Sequence, residues 1–229
     1  MSRTLRIQAP NLLFHIINRG NARQNVFRSP SEYREYLQLL KNYKTKFPVR
    51  LYHYVLMPNH VHMLLEPMER GALSAFMQGL TLAHTRRFNL RSGSVGHAWQ
   101  GRFKSILIES DQYYLQCARY IELNPVRANM VSHPSYYSWS SYSVHALGES
   151  CDLVDQHPLL QTLGSTKETV RQEYQNFVEV DMKNVLQHTS ARFSEKPIYG
   201  NDEFVHKMIE QNRLSIPRLK AGRPSENRT

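Results

Sequence analysis

Apolar and polar positions along the first 125 residues switch between two periods, and the switches outline the elements. Leu12 to Asn18 (LLFHIIN) is a nearly unbroken apolar run closed by Arg19-Gly20-Asn21, which predicts a buried strand ending in a turn. From Glu32 to about Lys46, Tyr33, Tyr36, Leu37, Leu40 and Tyr43 recur at helical spacing, leaving Arg34, Lys41 and Lys44 to water. Ser31 opens this helix and Pro48 closes it. Val49 to Met57 and Val61 to Leu65 read as two strands joined at Pro58-Asn59, hence an antiparallel hairpin. A second helix runs from Gly71 to about Leu90 with Leu73, Phe76, Met77 and Leu80 on one side. After a glycine-containing loop, Arg91 to Gly101, a strand follows at Phe103–Ile108. A third helix begins at Asp111, and its apolar set of Leu115, Ala118 and Ile121 is interrupted at Asn124-Pro125, where the missing proline amide disfavours a regular continuation.

The order strand, helix, strand, strand, helix, strand, helix predicts an α+β fold. Its antiparallel sheet carries helices on one face, close to the ferredoxin-like or RRM-like arrangement. Beyond about residue 145 the character changes. Thr166–Val180 and Asp202–Arg213 are helical by pattern, His188–Gly200 reads as loop, and Arg218–Pro224 is a basic tail whose Gly222-Arg223-Pro224 is similar to the core of minor-groove AT-hooks. Residues 1–145 are thus expected to form the main domain, and 146–229 a small, mostly helical appendage.

Composition narrows the class. Of 229 residues, 41% are hydrophobic and 21% charged, which suits a folded chain. Apolar stretches such as Met63-Leu64-Leu65 fall far short of the roughly 20 residues that cross a bilayer. The opening MSRTLRIQAP lacks an apolar segment, so a soluble, cytoplasmic protein without a membrane partner is expected. Cys117 and Cys151 are not in a C-x-x-C pair, so any metal must rely on histidine and oxygen ligands. The net charge of +10 resides in residues 1–150, with 18 Lys+Arg against 8 Asp+Glu, whereas the remainder holds 11 of each. Attraction to a polyanion follows, nucleic acid being the commonest.

Two clusters carry chemistry. His60 and His62, two apart on a strand, lie on one face about 7 Å apart at Cα level and can converge on a divalent cation. In a chain with 11 histidines, a pair of ordinary strand histidines is the simpler reading of this motif alone. Tyr120 and Asn124, four apart, share a helical face, so a phenol and an amide oxygen can address one point, while Glu122 points elsewhere. A tyrosine attacking a phosphodiester yields a covalent 5′-phosphotyrosine and frees a 3′-OH.

Together these features resemble the HUH endonucleases, in particular their single-tyrosine transposases. Four stretches are similar to the REP-associated tyrosine transposases of bacteria: His15-Ile-Ile-Asn-Arg19-Gly20-Asn21, Tyr54-Val-Leu-Met-Pro-Asn-His-Val-His-Met-Leu-Leu, His97-Ala-Trp-Gln-Gly-Arg102-Phe-Lys104 and Arg119-Tyr-Ile-Glu-Leu-Asn-Pro-Val-Arg127-Ala. The likeness covers about residues 5–142. It implies that Tyr120 is the nucleophile and that His60, His62 and Asn124 bind Mg²⁺ or Mn²⁺, with asparagine where related insertion-sequence transposases carry glutamine. It further implies cleavage and rejoining of single-stranded DNA at REP-type palindromic hairpins flanked by a guide sequence, in the bacterial cytoplasm at the nucleoid. A monomer acting with its own tyrosine is expected, although related insertion-sequence enzymes are dimers that exchange tyrosine helices. Arg19, Asn21, Arg23 and Arg28 near the first strand, with Arg102 and Lys104 in the loop, are expected to contact DNA, and Trp99 to offer a stacking platform. Arg127 is either a phosphate clamp or a helix-end counter-charge.

Two alternatives remain at this stage. One is a non-catalytic binder of hairpin DNA or structured RNA on the same fold. The other is a hydrolase in which water attacks, with Glu66 as base. The extension would either bind DNA or screen the active site.

Overall fold

The side chains of the first strand, β1 (Leu13–Arg19), divide between two apolar cores: Phe14 and Ile16 enter one, Leu13 and Ile17 the other. An apolar run without polar alternation leaves no wet face, so the sheet must be covered on both sides. The computed structural model of the chain describes residue 7, residues 9–186, residue 193 and residues 196–212. After β1 come α1 (Pro30–Lys46), β2 (Val49–Met57), β3 (His60–Pro67), α2 (Ala72–Ser92), β4 (Lys104–Ile108), α3 (Ser110–Glu122) and α4 (Asn124–Arg127). The later part adds α5 (Pro158–Gln161), α6 (Lys167–Leu186), β5 (Ile198–Tyr199) and α7 (Asp202–Asn212).

The strand order is β2-β3-β1-β4-β5. The first four strands pair antiparallel, as β1-α1-β2-β3-α2-β4 connectivity of the ferredoxin-like kind requires. Helices α1 and α2 pack on one face through Tyr36, Leu40, Phe76 and Leu80. Helices α3 and α6 cover the other through Tyr114, Ile121, Tyr174 and Val178, which corrects the expectation of helices on one face only. Pro58-Asn59 is the two-residue connection of the β2–β3 hairpin, in register from Met57 opposite His60. A register shift between Leu51 and His53 turns both Tyr52 and His53 toward α3, each ring meeting Tyr114.

Described residues beyond 145 also enter the cores. Leu153, Val154, Ile198 and Met208 enter the first core, and Leu160, Tyr174, Val178 and Phe193 the second. Within the stretch read as loop, Ile198 and Tyr199 pair parallel with Leu107 and Ile108 and extend the sheet as β5. Two residues are too short to show a strand period, so the sequence conceals this element. On the opposite edge, the Leu56 N–H donates to the Trp139 carbonyl and the Ser141 N–H to that of Tyr54, closing the free side of β2. Gly222-Arg223-Pro224 lies outside the described residues. No described helix is long and apolar enough to cross a membrane.

Candidate active site

The end of β1 and the start of β3 form the floor of the site. Arg19 lies opposite His60 and Ile17 opposite His62. The Gly20 N–H donates to the Asn59 carbonyl at 2.7 Å, and a Cβ on Gly20 would meet the Gln24 carbonyl oxygen at 2.3 Å, so only glycine permits this approach. Asn59, just before β3, donates from Nδ2 to the Arg23 carbonyl at 3.3 Å and accepts at Oδ1 from His60 Nδ1 at 2.6 Å. That bond assigns the proton of His60 to Nδ1 and leaves Nε2 with a lone pair.

His62 is buried and its Nδ1 lies 2.8 Å from Nε2 of His15 on β1. Nδ1 of His15 lies 2.7 Å from the Phe193 carbonyl. The two imidazoles stack at 5.0 Å, and the ring of Tyr120 stands edge-on to both, at 5.7 Å from His15 and 5.8 Å from His62. His60 and His62 are 4.9 Å apart between ring centres. Burial holds all three imidazoles neutral, lowering His15 to about 3, His60 to about 4 and His62 well below its ordinary value. Neutral imidazole is the form that ligates a cation.

Tyr120 sits in the last turn of α3, and α4 follows after Leu123 instead of one continuous helix. Pro125 has no N–H to give the Ile121 carbonyl. The side chain of Asn124 supplies the missing donor, reaching the carbonyls of Tyr120 at 2.8 Å and Ile121 at 3.2 Å. Both bonds use the amide nitrogen, so the amide oxygen is the atom of Asn124 that suits a cation. Two neutral imidazole nitrogens and one amide oxygen form a donor set that fits a first-row or hard divalent ion. Arg127, at the end of α4, places its guanidinium 4.5 Å above the Tyr120 ring, and the ring of Phe193 lies 5.8 Å from it at a tilt.

The other expected DNA-contacting residues gather at this end of the sheet. The Gln100 N–H donates to the Arg19 carbonyl and the Asn21 N–H to the Ala98 carbonyl, which fastens the 97–101 loop to the end of β1. Arg19, Asn21, Arg23, Arg102 and Lys104 are exposed there. Trp99 is only 4% exposed and packs against His84 at 5.0 Å and Tyr36 at 6.1 Å. It anchors the loop in the core and is not a stacking platform. Glu66 is bonded by the Tyr52 hydroxyl and faced by Arg50 at 3.7 Å, on the β2 side of β3, so it is committed away from the role of base.

Glu122 does turn away from Tyr120, into a second cluster. The carboxylate accepts from His53 Nδ1 at 2.9 Å, Ser141 Oγ at 2.8 Å and the Tyr174 hydroxyl at 2.7 Å. His53 Nε2 lies 2.9 Å from the Tyr114 hydroxyl, and His145 Nε2 donates to the Tyr52 carbonyl at 2.8 Å. Burial lowers His53 to about 3 and raises Glu122, so their contact is a hydrogen bond from a neutral imidazole and not an ion pair. Ligand atoms of His53, Glu122 and His145 lie within 4.8 Å of one another, close enough to hold a metal ion.

The sequence reading missed three parts of the site: His15, Asn59 and Phe193. A histidine inside LLFHIIN was the available signal, because a buried imidazole needs a partner. Phe193 carried no signal, since only the fold brings its carbonyl to β1.

Residues 8–124 match the family described as transposase IS200 like. Among solved structures, a REP-associated tyrosine transposase bound to a REP hairpin is similar over 68% of this chain and 95% of its own, with 20% identity and a TM-score of 0.55. At that identity the likeness shows the fold. A candidate transposase from Deinococcus radiodurans R1 aligns over 53% of this chain and 96% of its own, with 21% identity and a TM-score of 0.38. No curated protein matches the chain.

Proposed function

The chain belongs to the IS200-like transposase family, and from that premise we propose that it is a metal-dependent nuclease and strand transferase acting on single-stranded DNA at REP-type hairpins. The observation that carries this reading is the packing of Tyr120 beside His62 within one chain, at 5.8 Å between ring centres. The phenolic oxygen of Tyr120 attacks the phosphorus of the scissile phosphodiester. The P–O3′ bond breaks, the strand leaves with a 3′-OH, and the phenolic proton passes to the departing oxygen by way of solvent. The 5′-phosphotyrosine conserves the ester for rejoining by a second 3′-OH. When bound by His60, His62 and Asn124, Mg²⁺ or Mn²⁺ supplies charge stabilisation at the scissile phosphate. Arg127 orients the ring of Tyr120 from above, and burial keeps both histidines neutral for ligation.

The hairpin substrate is supported by the fold shared with a hairpin-bound transposase and by the exposed Arg19, Asn21, Arg23, Arg102 and Lys104 around the site. A guide sequence beside the hairpin would lie along this basic rim. Because nucleophile and histidines meet in a single chain, the working unit is a monomer cutting in cis. Residues 1–145 supply the reacting groups, and Phe193 from the later region packs against the Tyr120 ring. The site of action is the bacterial cytoplasm, at the nucleoid.

The test is a denaturing gel of labelled single-stranded hairpin oligonucleotides with Mg²⁺ or Mn²⁺. Wild type gives a metal-dependent, slow-migrating covalent adduct. Tyr120→Phe keeps hairpin binding and loses the adduct, since only the nucleophilic oxygen is gone. Cleavage at the wild-type rate by Tyr120→Phe would overturn the assignment, and tight binding without cleavage under either metal would favour a binding module.

A further inference from the structure

Which nitrogen His62 offers to a cation is decided two residues away from the ion. The Phe193 carbonyl can only accept, so the 2.7 Å contact assigns a proton to Nδ1 of His15. His15 is fully buried, and burial favours the neutral ring, whose Nε2 is then bare. The 2.8 Å contact with His62 must then be donated by His62 Nδ1–H. A neutral His62 protonated at Nδ1 carries its lone pair on Nε2.

We propose that His15 is a positioning residue, locked by the Phe193 carbonyl, that fixes the tautomer of His62 so that Nε2 faces the cation. The inference rests on His62 being a metal ligand. Asn59 performs the same service for His60 through the 2.6 Å bond to Nδ1, so both imidazoles are set by partners outside the cation's own shell. The two devices differ in origin. Asn59 adjoins its histidine in sequence, whereas the relay through His15 spans 178 residues and ends in the C-terminal region. That region therefore takes part in arranging the ligands and does more than screen the site.

The experiment is nitrogen NMR on metal-free protein labelled with ¹⁵N in the imidazoles, paired with Mn²⁺ titration. In wild type, long-range correlations show His62 protonated at Nδ1 and bare at Nε2. His15→Phe fills the space but accepts no hydrogen bond; it moves His62 toward the Nε2–H form and weakens Mn²⁺ binding about 10- to 100-fold. His15→Gln, whose side-chain carbonyl can accept from His62, restores the wild-type tautomer and most of the affinity. An unchanged His62 tautomer in His15→Phe would sink the proposal. So would an Nε2–H His62 in wild type, or a loss of Mn²⁺ binding that His15→Gln repairs no better than His15→Phe. His62→Ala separates the two readings: if it binds Mn²⁺ like wild type, His62 is not a ligand, while the metal-free tautomer result still decides the relay.

Discussion

Two histidine clusters flank the end of α3, facing opposite sides of residues only two apart. On the Tyr120 side, His15 has both nitrogens engaged, whereas His60 and His62 spend one nitrogen each on a partner that orients the ring and keep a lone pair on the other. On the Glu122 side, His53 has both nitrogens engaged, the carboxylate accepts three hydrogen bonds, and the lone pair left among the imidazoles is that of His145 Nδ1. Both clusters are buried and both hold their histidines neutral. The difference lies in the lone pairs. Convergence of histidines marks a reactive centre only where the second nitrogen is uncommitted; where partners claim it, the same residues act as a clasp between elements.

The contrast can be broken by mutation. His62→Ala should abolish metal-dependent adduct formation and His145→Ala should leave it within a few-fold of wild type, as read on the hairpin gel. The reverse result would move the working cation to the His53–Glu122–His145 group. Acidification should cost several kcal/mol. His53 is lowered by burial to about 3, and His84 and His145 to about 4, against 6.5 in an unfolded chain. Below pH 6.5 the unfolded state takes up protons that the folded state refuses. Stability is therefore complete above that pH and declines by up to about 1.4 kcal/mol per unit for each such histidine as pH falls toward 4. Chemical denaturation at pH 7.5, 6, 5 and 4 measures this, and a flat profile would refute the neutral clusters.

Tyr174→Phe sharpens the comparison further. It removes one of three donors to a buried carboxylate and should lower stability by about 2 kcal/mol, while metal affinity stays at the wild-type value. A comparable loss of metal affinity would show that the clasp reaches across α3. The smallest effect belongs to the rim. Arg102→Ala or Lys104→Ala should weaken hairpin binding a few-fold for all sequences and reduce the salt dependence of log K by about 1.

Much of this was legible beforehand, for local reasons. The hairpin at Pro58-Asn59, the helix from Ser31 and the break at Asn124-Pro125 follow from turn chemistry and period, and the structure places each within a few residues of the reading. Tyr120 and the two strand histidines were singled out as candidates only when their spacing was joined to the resemblance of the surrounding stretches, since the spacing alone suits ordinary packing residues. What escaped was settled by distance along the chain. Glu122 could be seen to turn from Tyr120, but its partners His53, Ser141 and Tyr174 stand 69, 19 and 52 residues away. Trp99 read as a surface platform because it stands with Arg102 in a glycine-containing loop, and only the fold reveals the pocket of Tyr36 and His84 that swallows it. The second covered face was readable in principle from Leu12–Ile17, where five of six residues are apolar and leave no alternate position for water.

The parallel strand β5 and the Phe193 carbonyl carry a consequence for biosynthesis. Translation delivers His15 first, then His60 and His62, then Tyr120, and only much later the segment that pins His15 and completes the sheet edge. A ribosome stalled after residue 150 releases a polypeptide with Tyr120 and the three histidines but neither fastening. An unfinished copy, or one cut short by a frameshift, thus lacks both the carbonyl that holds His15 and the short strand that pairs with β4.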